Sequence, residues 1–282
     1  MKNKNQDLAL DYLEIGKKVL NDESKGIAEL ASNLGDNFVE VISCLKSISG
    51  RIIFCGVGKS GHIAKKVAST LSSTGSPSHF LHPTEASHGD LGIITKLDCV
   101  IIFSKSGESH EINDILSVAK SLSIPIVAIS SNQKSTLVKS STYFLKIPKI
   151  PEAGDMALAP TTSSTMMLSL GDAIAIALLE AKNFSSDDFQ KFHPGGKLGI
   201  SLLKVSDLMH TKESIPIVNT YTLMSEVLLA MSSKNFGCAC VVDEKSNLVS
   251  LLKKTSGFMV SLFLSSFIKL FLSACSTILF AI

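Results

Sequence analysis

The chain has 282 residues, of which 45% are hydrophobic and 18% are charged, and its formal net charge is +2. This length suffices for one large domain or two smaller ones, and the apolar content allows a sizeable core. The small net charge and the absence of a basic run give no electrostatic footprint for DNA or RNA. We therefore expect no nucleic-acid partner.

The amino-terminal segment and the cysteines indicate a cytoplasmic protein. Residues 1–20 are charged throughout and lack the apolar region of a signal peptide. The six cysteines are scattered along the chain, without the spacing of a disulfide framework or of a zinc site. We therefore expect reduced thiols that serve as small core residues.

Two amphipathic helices are predicted ahead of the first strand. Apolar residues recur at helical spacing in two sets, one of Leu8, Tyr12, Ile15 and Val19, the other of Ile27, Leu30, Leu34, Phe38, Val41 and Leu45. We assign one helix to each set.

Five short apolar runs then alternate with helical patterns within residues 51–147. The runs are RIIFC, SHFL, CVIIFS, PIVAIS and TYFLKI. Strands separated by helices predict an α/β fold, a three-layer αβα sandwich with a five-stranded parallel sheet. Residues 160–182 are apolar nearly all round, which predicts a helix packed on several sides, and Asp172 in its middle argues against a membrane span.

The segment GVGKSG, residues 56–61, follows the first predicted strand and matches two phosphate-binding patterns in part. A Walker A loop would need glycine at position 53, where the chain has Ile53. Gly56, Gly58 and Gly61 match the dinucleotide pattern, but that pattern also needs an acid at the end of the second strand. That strand ends instead in His82 and a proline, so dinucleotide binding is disfavoured.

Hydroxyl groups collect where the other predicted strands end. The third strand is followed by SKSGES, residues 104–109, and the fourth by SSN, residues 130–132. Serine and glycine also make ordinary turns, but several such loops at one sheet edge favour a single-phosphate site built from amides, hydroxyls and helix dipoles. Lys59 adds a positive charge. The expected phosphate contacts are Gly58, Ser60, Ser104, Ser106 and Ser109.

The same loops contain groups that can move protons. They are His82, Glu85, His88, Asp90, Glu108, Glu111, Glu152 and His193. Carboxylates and imidazoles around a phosphorylated small molecule suit proton transfer next to a carbonyl. No pattern indicates a hydride cofactor or a magnesium–nucleotide site.

Five segments carry a family resemblance: residues 56–95, SKSGESHEI, LAPTTSS, GDAIAIALL and FHPGGKLG. They resemble the sugar isomerase (SIS) domain of D-arabinose 5-phosphate isomerases over about residues 35–205. The glycine loop and the serine-rich loop are shared by SIS domains in general. The segments HPTEASHGDLG and HPGG are more selective for this family.

The resemblance implies reversible interconversion of D-ribulose 5-phosphate and D-arabinose 5-phosphate, the precursor of Kdo in lipopolysaccharide or capsule. It implies a homotetramer that needs no organic cofactor. The catalytic positions of the family match Lys59, Glu111, Glu152 and His193. Its ligand contacts match Gly75, Ser76, His82 and His88, and His82 resembles a position that can bind an inhibitory zinc.

The reaction would pass through a cis-enediol, with a base at C2 and an acid at O1 and O2. We expect Glu111 or Glu152 to be the base, His193 to serve the oxygens or ring opening, and Lys59 to offset negative charge.

Composition changes after residue 205. Residues 206–250 resemble the first half of a CBS-domain pair, with a strand at CACVVD and a turn at EKSN. The chain then departs from that pattern, and no Asp or Glu follows Glu244. We assign 1–205 to the SIS domain, with its core at about 35–183, 206–250 to a partial, α+β CBS module, and 251–282 to an atypical apolar tail.

The tail is not expected to span a membrane. Lys269 divides residues 257–282 into apolar runs of 12 and 13 residues, each shorter than the ~20 residues a spanning helix needs. We interpret the tail as the product of a reading-frame change and expect it to lower solubility. Three alternatives to the main function stay open: isomerisation of another sugar phosphate, a non-catalytic sugar-phosphate sensor, and an inactive product of a decaying gene.

Overall fold

The computed structural model describes residues 4–193, 200–201, 203–255 and 258–263. The chain folds as two compact units, Met1–Leu202 and Leu203–Ile282, and each is considered by itself. The sequence-based boundary at residue 205 falls three residues after this division. The segment HPGGKLG beyond its histidine, and residues 264–282 of the apolar tail, lie outside the described residues.

The first unit is built on a five-stranded sheet. Its strands are Ile52–Gly56 (β1), Ser78–Leu81 (β2), Cys99–Phe103 (β3), Ile126–Ser130 (β4) and Tyr143–Lys146 (β5). They lie in the order β2-β1-β3-β4-β5, and every neighbouring pair is parallel. The five predicted strands are thus confirmed. The sequence pattern located them because each apolar run is bounded by residues that favour turns.

Helices cover both faces of this sheet. They are Lys4–Ser32 (α1), Asp36–Ser47 (α2), Gly58–Ser73 (α3), Pro83–Ser87 (α4), Asn113–Ser121 (α5), Thr136–Ser140 (α6), Thr162–Ala181 (α7) and Ser186–Phe192 (α8). Alternate strand residues such as Phe54 and Ile101 share one core with α1, α2, α3 and α7. The intervening residues, such as Ile53 and Ile102, share a second core with α4, α5 and α6. The predicted αβα sandwich is therefore confirmed.

The division between the first two helices differs from our prediction. Helix α1 continues through Ile27 and Leu30 to Ser32, and α2 begins only after Gly35, whose backbone is extended. The apolar periodicity continues across this short break, so it could not locate the break. Two helices are present, but the second predicted set is shared between them.

Helix α7 is the core helix that the sequence predicted. Within the described part of the chain it is the one helix long and apolar enough to cross a membrane, and half of that stretch is buried inside the protein. Helices α1, α2 and α3 all contact it. On its remaining surface Asp172 accepts a 2.5 Å hydrogen bond from the Lys66 ammonium.

The second unit contains a mixed sheet. Its strands are Ile217–Asn219 (β6), Cys238–Val242 (β7), Leu248–Thr255 (β8) and Phe258–Phe263 (β9), and its helices are Val205–Leu208 (α9) and Met224–Ser233 (α10). Strands β6 and β7 are parallel, whereas β7–β8 and β8–β9 are antiparallel. Strand β8 crosses residue 250, where the sequence analysis began the tail.

Candidate active site

A cleft of about 530 Å³ opens beyond the carboxyl ends of β1, β3 and β4. The strand order reverses between β1 and β3, and ligands of open parallel sheets bind at such a switch point. Ten residues line the cleft: Val57, Ser60, Phe103, Ser104, Lys105, Ser106, Ser109, Ser131, Asn132 and Lys149. Apart from Val57 and Phe103, these residues carry hydroxyls, an amide and two ammonium groups, which suits an anion.

The loop after β3 carries the predicted serines. The buried Ser104 hydroxyl accepts a 3.1 Å hydrogen bond from the Gly107 amide and lies 3.2 Å from the Ser109 hydroxyl. The Ser106 hydroxyl accepts a 3.3 Å bond from the amide of Glu108. These contacts hold three hydroxyls in one tight turn, and all three line the cleft.

Gly107 is required by the shape of this turn. Its φ is +70°, and a Cβ placed on it would lie 2.2 Å from the Ser135 hydroxyl oxygen. Any side chain would therefore be strained and would collide with the loop that follows β4.

The loop after β4 braces the loop after β3. The Ser130 and Ser131 hydroxyls both donate to the carbonyl oxygen of Lys105, at 3.1 and 2.8 Å. The Asn132 side-chain amide donates to the carbonyl oxygen of Ser106 at 3.2 Å. Because both loops are tied by hydrogen bonds, the wall of the cleft is preorganised before any ligand arrives.

Positive potential comes from three sources at this edge. Lys105 and Lys149 line the cleft. Helix α3 begins at Gly58, and the positive end of its dipole therefore lies beside the cleft residues Val57 and Ser60. Lys59 is exposed in the first turn of that helix. Sequence reasoning placed Gly58, Lys59 and Ser60 here but passed over Lys105, which it treated as a spacer between two serines.

Glu152 lies behind this wall as a buried carboxylate. Its oxygens accept hydrogen bonds from the Lys105 ammonium, from the Ser163 hydroxyl and amide at 2.5 and 3.1 Å, and from the Thr161 amide at 2.9 Å. Burial raises the pKa of Glu152, but the bonds from Lys105, Ser163 and Thr161 outweigh burial and bring this pKa to about 2. The carboxylate is therefore ionised and fully engaged. Thr161, the N-cap of α7, and Ser163, in its first turn, both belong to the motif LAPTTSS.

Glu111 also lies at the carboxyl ends of the strands but, unlike Glu152, is exposed. It belongs to a short 3-10 helix, His110–Ile112, that follows the serine loop, and its side chain is exposed. Its neighbour Glu108 accepts a 3.0 Å bond from the Thr136 amide, and this contact lowers the pKa of Glu108. Glu108 therefore caps α6, whereas no hydrogen bond is described for Glu111.

The two predicted histidines after β2 are also at the carboxyl edge. His82 precedes α4, and its Nδ1 accepts a 3.3 Å hydrogen bond from the Thr84 amide. His88 ends the same helix, and both imidazoles are exposed. Within the described residues no three His, Cys, Asp or Glu side chains come together to hold a metal, so His82 has no partner ligands there.

Three of the predicted site residues lie at the other end of the strands, near the amino-terminal end of β2: Gly75, Ser76 and His193. Gly75 and Ser76 precede β2, and four residues of strand separate them from the carboxyl edge by about 13 Å. The Ser76 hydroxyl is buried and accepts a 2.9 Å bond from the Lys182 ammonium. In a single chain, therefore, these residues do not reach the cleft.

Packing of aromatic rings places His193 at the same end of the sheet as Gly75. Phe184 packs on Gly75, where an added Cβ would lie 2.4 Å from its ring, and Phe192 stacks on Phe184 with centroids 5.9 Å apart. His193 follows directly, and its Nδ1 lies 2.8 Å from the Phe189 carbonyl oxygen. The sequence analysis grouped His193 with the residues at the carboxyl ends of the strands because it lies in the motif FHPGGKLG. A motif does not show at which end of the sheet its residues lie.

The fold and the cleft define a class: an α/β domain that binds a phosphorylated small molecule at the switch point of a parallel sheet. Comparison with known proteins gives the family. Residues 47–177 match the SIS domain model. The chain is 43% identical over 237 residues to arabinose 5-phosphate isomerase KdsD of Salmonella typhi, which covers 83% of this chain and 72% of that protein. It is 42% identical over 248 residues to KdsD of Pseudomonas aeruginosa, covering 88% and 76%.

A solved structure agrees with these relatives. The chain is 41% identical to a protein of E. coli CFT073 solved in complex with arabinose 5-phosphate, with a TM-score of 0.64. That match covers 66% of this chain and 98% of the other. The chain belongs to the SIS-domain family of arabinose 5-phosphate isomerases.

Proposed function

We propose that the protein is an aldose–ketose isomerase that interconverts D-ribulose 5-phosphate and D-arabinose 5-phosphate. The observation that carries this proposal is the cleft at the switch point, lined by the serines after β3 and by two lysines. A relative of the same family has been solved in complex with arabinose 5-phosphate. The phosphate of the sugar would bind the serine hydroxyls, the loop amides and the amino terminus of α3.

Glu111 is the better candidate for the base. Proton transfer between C1 and C2 needs a carboxylate that can accept a proton near neutral pH. The hydrogen bonds to Glu152 bring its pKa to about 2, which makes Glu152 a weak base. Glu111 is exposed beside the serine loop and is free to meet the substrate. Lys59 and His193 retain their proposed roles toward the enediolate charge and the sugar oxygens.

The site is completed by a second copy of the chain. Within one chain Glu111 and His193 lie at opposite edges of the sheet, so one reaction centre containing both needs two subunits. Helix α1 exposes Tyr12, Ile15 and Leu20, and α7 exposes Ile176, which leaves apolar surface for another copy to bury. This arrangement supports an oligomer, for which the family resemblance implies a homotetramer.

Our proposals for the pathway, for zinc and for the carboxyl-terminal unit are based on the family resemblance. The product would feed Kdo synthesis for lipopolysaccharide or capsule in the cytoplasm, without an organic cofactor. Zinc at His82 would inhibit and would need ligands beyond those described. The order β6-α10-β7-β8, with a turn in which the Asp243 carboxylate accepts from the Asn247 amide at 2.8 Å, supports a partial CBS module.

The deciding experiment is isomerase activity of the purified full chain on D-arabinose 5-phosphate, with EDTA present to remove inhibitory metal. Turnover to the ketose, lost in Glu111→Gln, would support the proposal. Binding of D-arabinose 5-phosphate without turnover would indicate a sensor instead. Turnover of other sugar phosphates alone would keep the reaction class and change the substrate.

A further inference from the structure

We propose that Lys105 binds the phosphate group of the substrate and that Glu152 acts by holding Lys105 in place. This inference deepens the proposed function and rests on it. It assigns a ligand contact to a lysine that the motif comparison left as a spacer, and it gives Glu152 a positioning role.

The backbone of Lys105 is fixed at the wall of the cleft. Its carbonyl oxygen accepts hydrogen bonds from the hydroxyls of Ser130 and Ser131 and from the Ser131 amide at 3.1 Å. Two phosphate-loop serines, Ser104 and Ser106, flank it in sequence, and all three residues line the cleft. The side chain of Lys105 therefore starts from a rigid point next to the expected phosphate position.

The charged end of Lys105 is only partly used by the protein. Its ammonium pairs with Glu152, yet 47% of the Lys105 side chain is exposed, against 4% for Glu152. An ammonium has three donors, and Glu152 is the one hydrogen-bond partner described for it. Because Lys105 lines the cleft, we infer that its other donors are available to a dianionic phosphate bound there.

Glu152 has little capacity left for a substrate. Its two oxygens already accept from Lys105, from two groups of Ser163 and from the amide of Thr161, and the Thr161 hydroxyl lies 3.4 Å away. A carboxylate offers about four acceptor positions, so these partners saturate it. The lowered pKa of Glu152 agrees with a carboxylate that stays ionised and holds the Lys105 ammonium.

The test is a double-mutant cycle on the full chain with Lys105→Met, Glu152→Gln and the pair. Affinity for inorganic phosphate and for D-arabinose 5-phosphate is measured by calorimetry, and kcat and KM are measured separately. Losing one hydrogen bond to a charged group should weaken phosphate binding roughly tenfold or more in Lys105→Met, with kcat changed much less. Glu152→Gln should show the same KM-weighted pattern, and the double variant should be no weaker than Lys105→Met.

Two further variants make the result specific. Lys105→Arg should restore part of the affinity, because it keeps the charge. Lys96→Met removes an exposed lysine before β3, at the opposite edge of the sheet, and should leave binding unchanged. Circular dichroism of each variant verifies that it is folded.

Three outcomes would overturn the inference. They are unchanged phosphate affinity in a folded Lys105→Met variant, strictly additive losses in the cycle, or a Glu152→Gln variant that loses kcat while KM stays constant. Failure of the proposed function is seen separately, since inorganic phosphate binding can be measured even if the wild-type chain does not turn over the sugar.

Discussion

The Ser163 hydroxyl donates a 2.5 Å hydrogen bond to Oε1 of Glu152 and thereby joins the loop after β5 to the start of α7. The Ser163 and Thr161 amides add bonds to Oε2, so the buried carboxylate caps the amino terminus of the core helix α7. A negative charge is favourable at this end of a helix, because the helix dipole and the free amides both point toward it. Glu152 therefore contributes to stability as well as to the cleft.

Glu152→Gln should lower stability in a pH-dependent manner. The pKa of Glu152 falls from an ordinary 4.5 to about 2 on folding. Because the pKa of Glu152 is lower in the folded state than in the unfolded state, its ionisation stabilises the fold fully at pH values above the unfolded-state pKa. This stabilisation is lost as the pH falls to the folded-state pKa. The difference corresponds to about 3 kcal/mol at neutral pH, lost between about pH 5 and pH 2.

Urea unfolding of both proteins at fixed concentration, from neutral to acidic pH, checks this prediction. The difference in unfolding free energy between wild type and Glu152→Gln should shrink steadily as pH falls. The exposed Glu180→Gln substitution is the control and should show little difference. A difference that stays constant with pH would mean that the lost contact is steric and not electrostatic.

The sequence predicted the sheet and the serine loop, because both depend on local patterns. Apolar runs of four to six residues mark β1 to β5, and residues 104–109 follow directly from β3. It could not predict the pairing of Lys105 with Glu152, since 47 positions separate them and neither residue signals the other. Nor could the sequence place His193. Helix α7 runs about 30 Å before the chain reaches His193, so the direction of this helix decides at which end of the sheet the histidine lies.

Glu111→Gln should abolish the chemical step and spare binding. If Glu111 is the base, its amide replacement should lower kcat roughly 100-fold or more while KM changes little. The matched control is Glu108→Gln in the same loop, because Glu108 caps α6 through the Thr136 amide. That variant should lose some stability and keep most of its kcat. Equal losses of kcat in both variants would count against Glu111 as the base.

Mixed oligomers should recover activity from two inactive variants. Glu111→Gln and His193→Ala each remove one member of a site that we place across two subunits. When the two chains are co-expressed with different tags, about a quarter of randomly assembled sites should combine an intact Glu111 with an intact His193. Activity of the doubly purified oligomer well above that of either variant alone would show this. No recovery in a confirmed mixed oligomer would place both residues on one chain.

Cysteine reactivity should follow the environments of the thiols. The Cys99 thiol, hydrogen-bonded to Cys44, lowers the pKa of the half-buried Cys44. The bond with Cys44, together with burial, raises the pKa of Cys99, and burial raises that of Cys55 to about 12. Iodoacetamide at neutral pH should therefore modify Cys44 well before Cys55 or Cys99, as read from peptide mass spectra. Faster labelling of Cys55 than of Cys44 in the folded protein would contradict this order.

Gly171→Ala should destabilise the contact between α3 and α7. An added Cβ would lie 2.2 Å from a methyl carbon of Val67, so the two helices must separate or the valine must leave its rotamer, at a cost of roughly 1–3 kcal/mol. Gly16→Ala is the matched control, since Gly16 lies inside α1 and, apart from that helix's own backbone, no atom of the described residues lies within 4 Å of the added Cβ. Both substitutions gain helix propensity, about 1 kcal/mol each, so the difference between their unfolding free energies isolates the clash. Equal effects of the two substitutions in urea unfolding would show that α3 and α7 can move apart without cost.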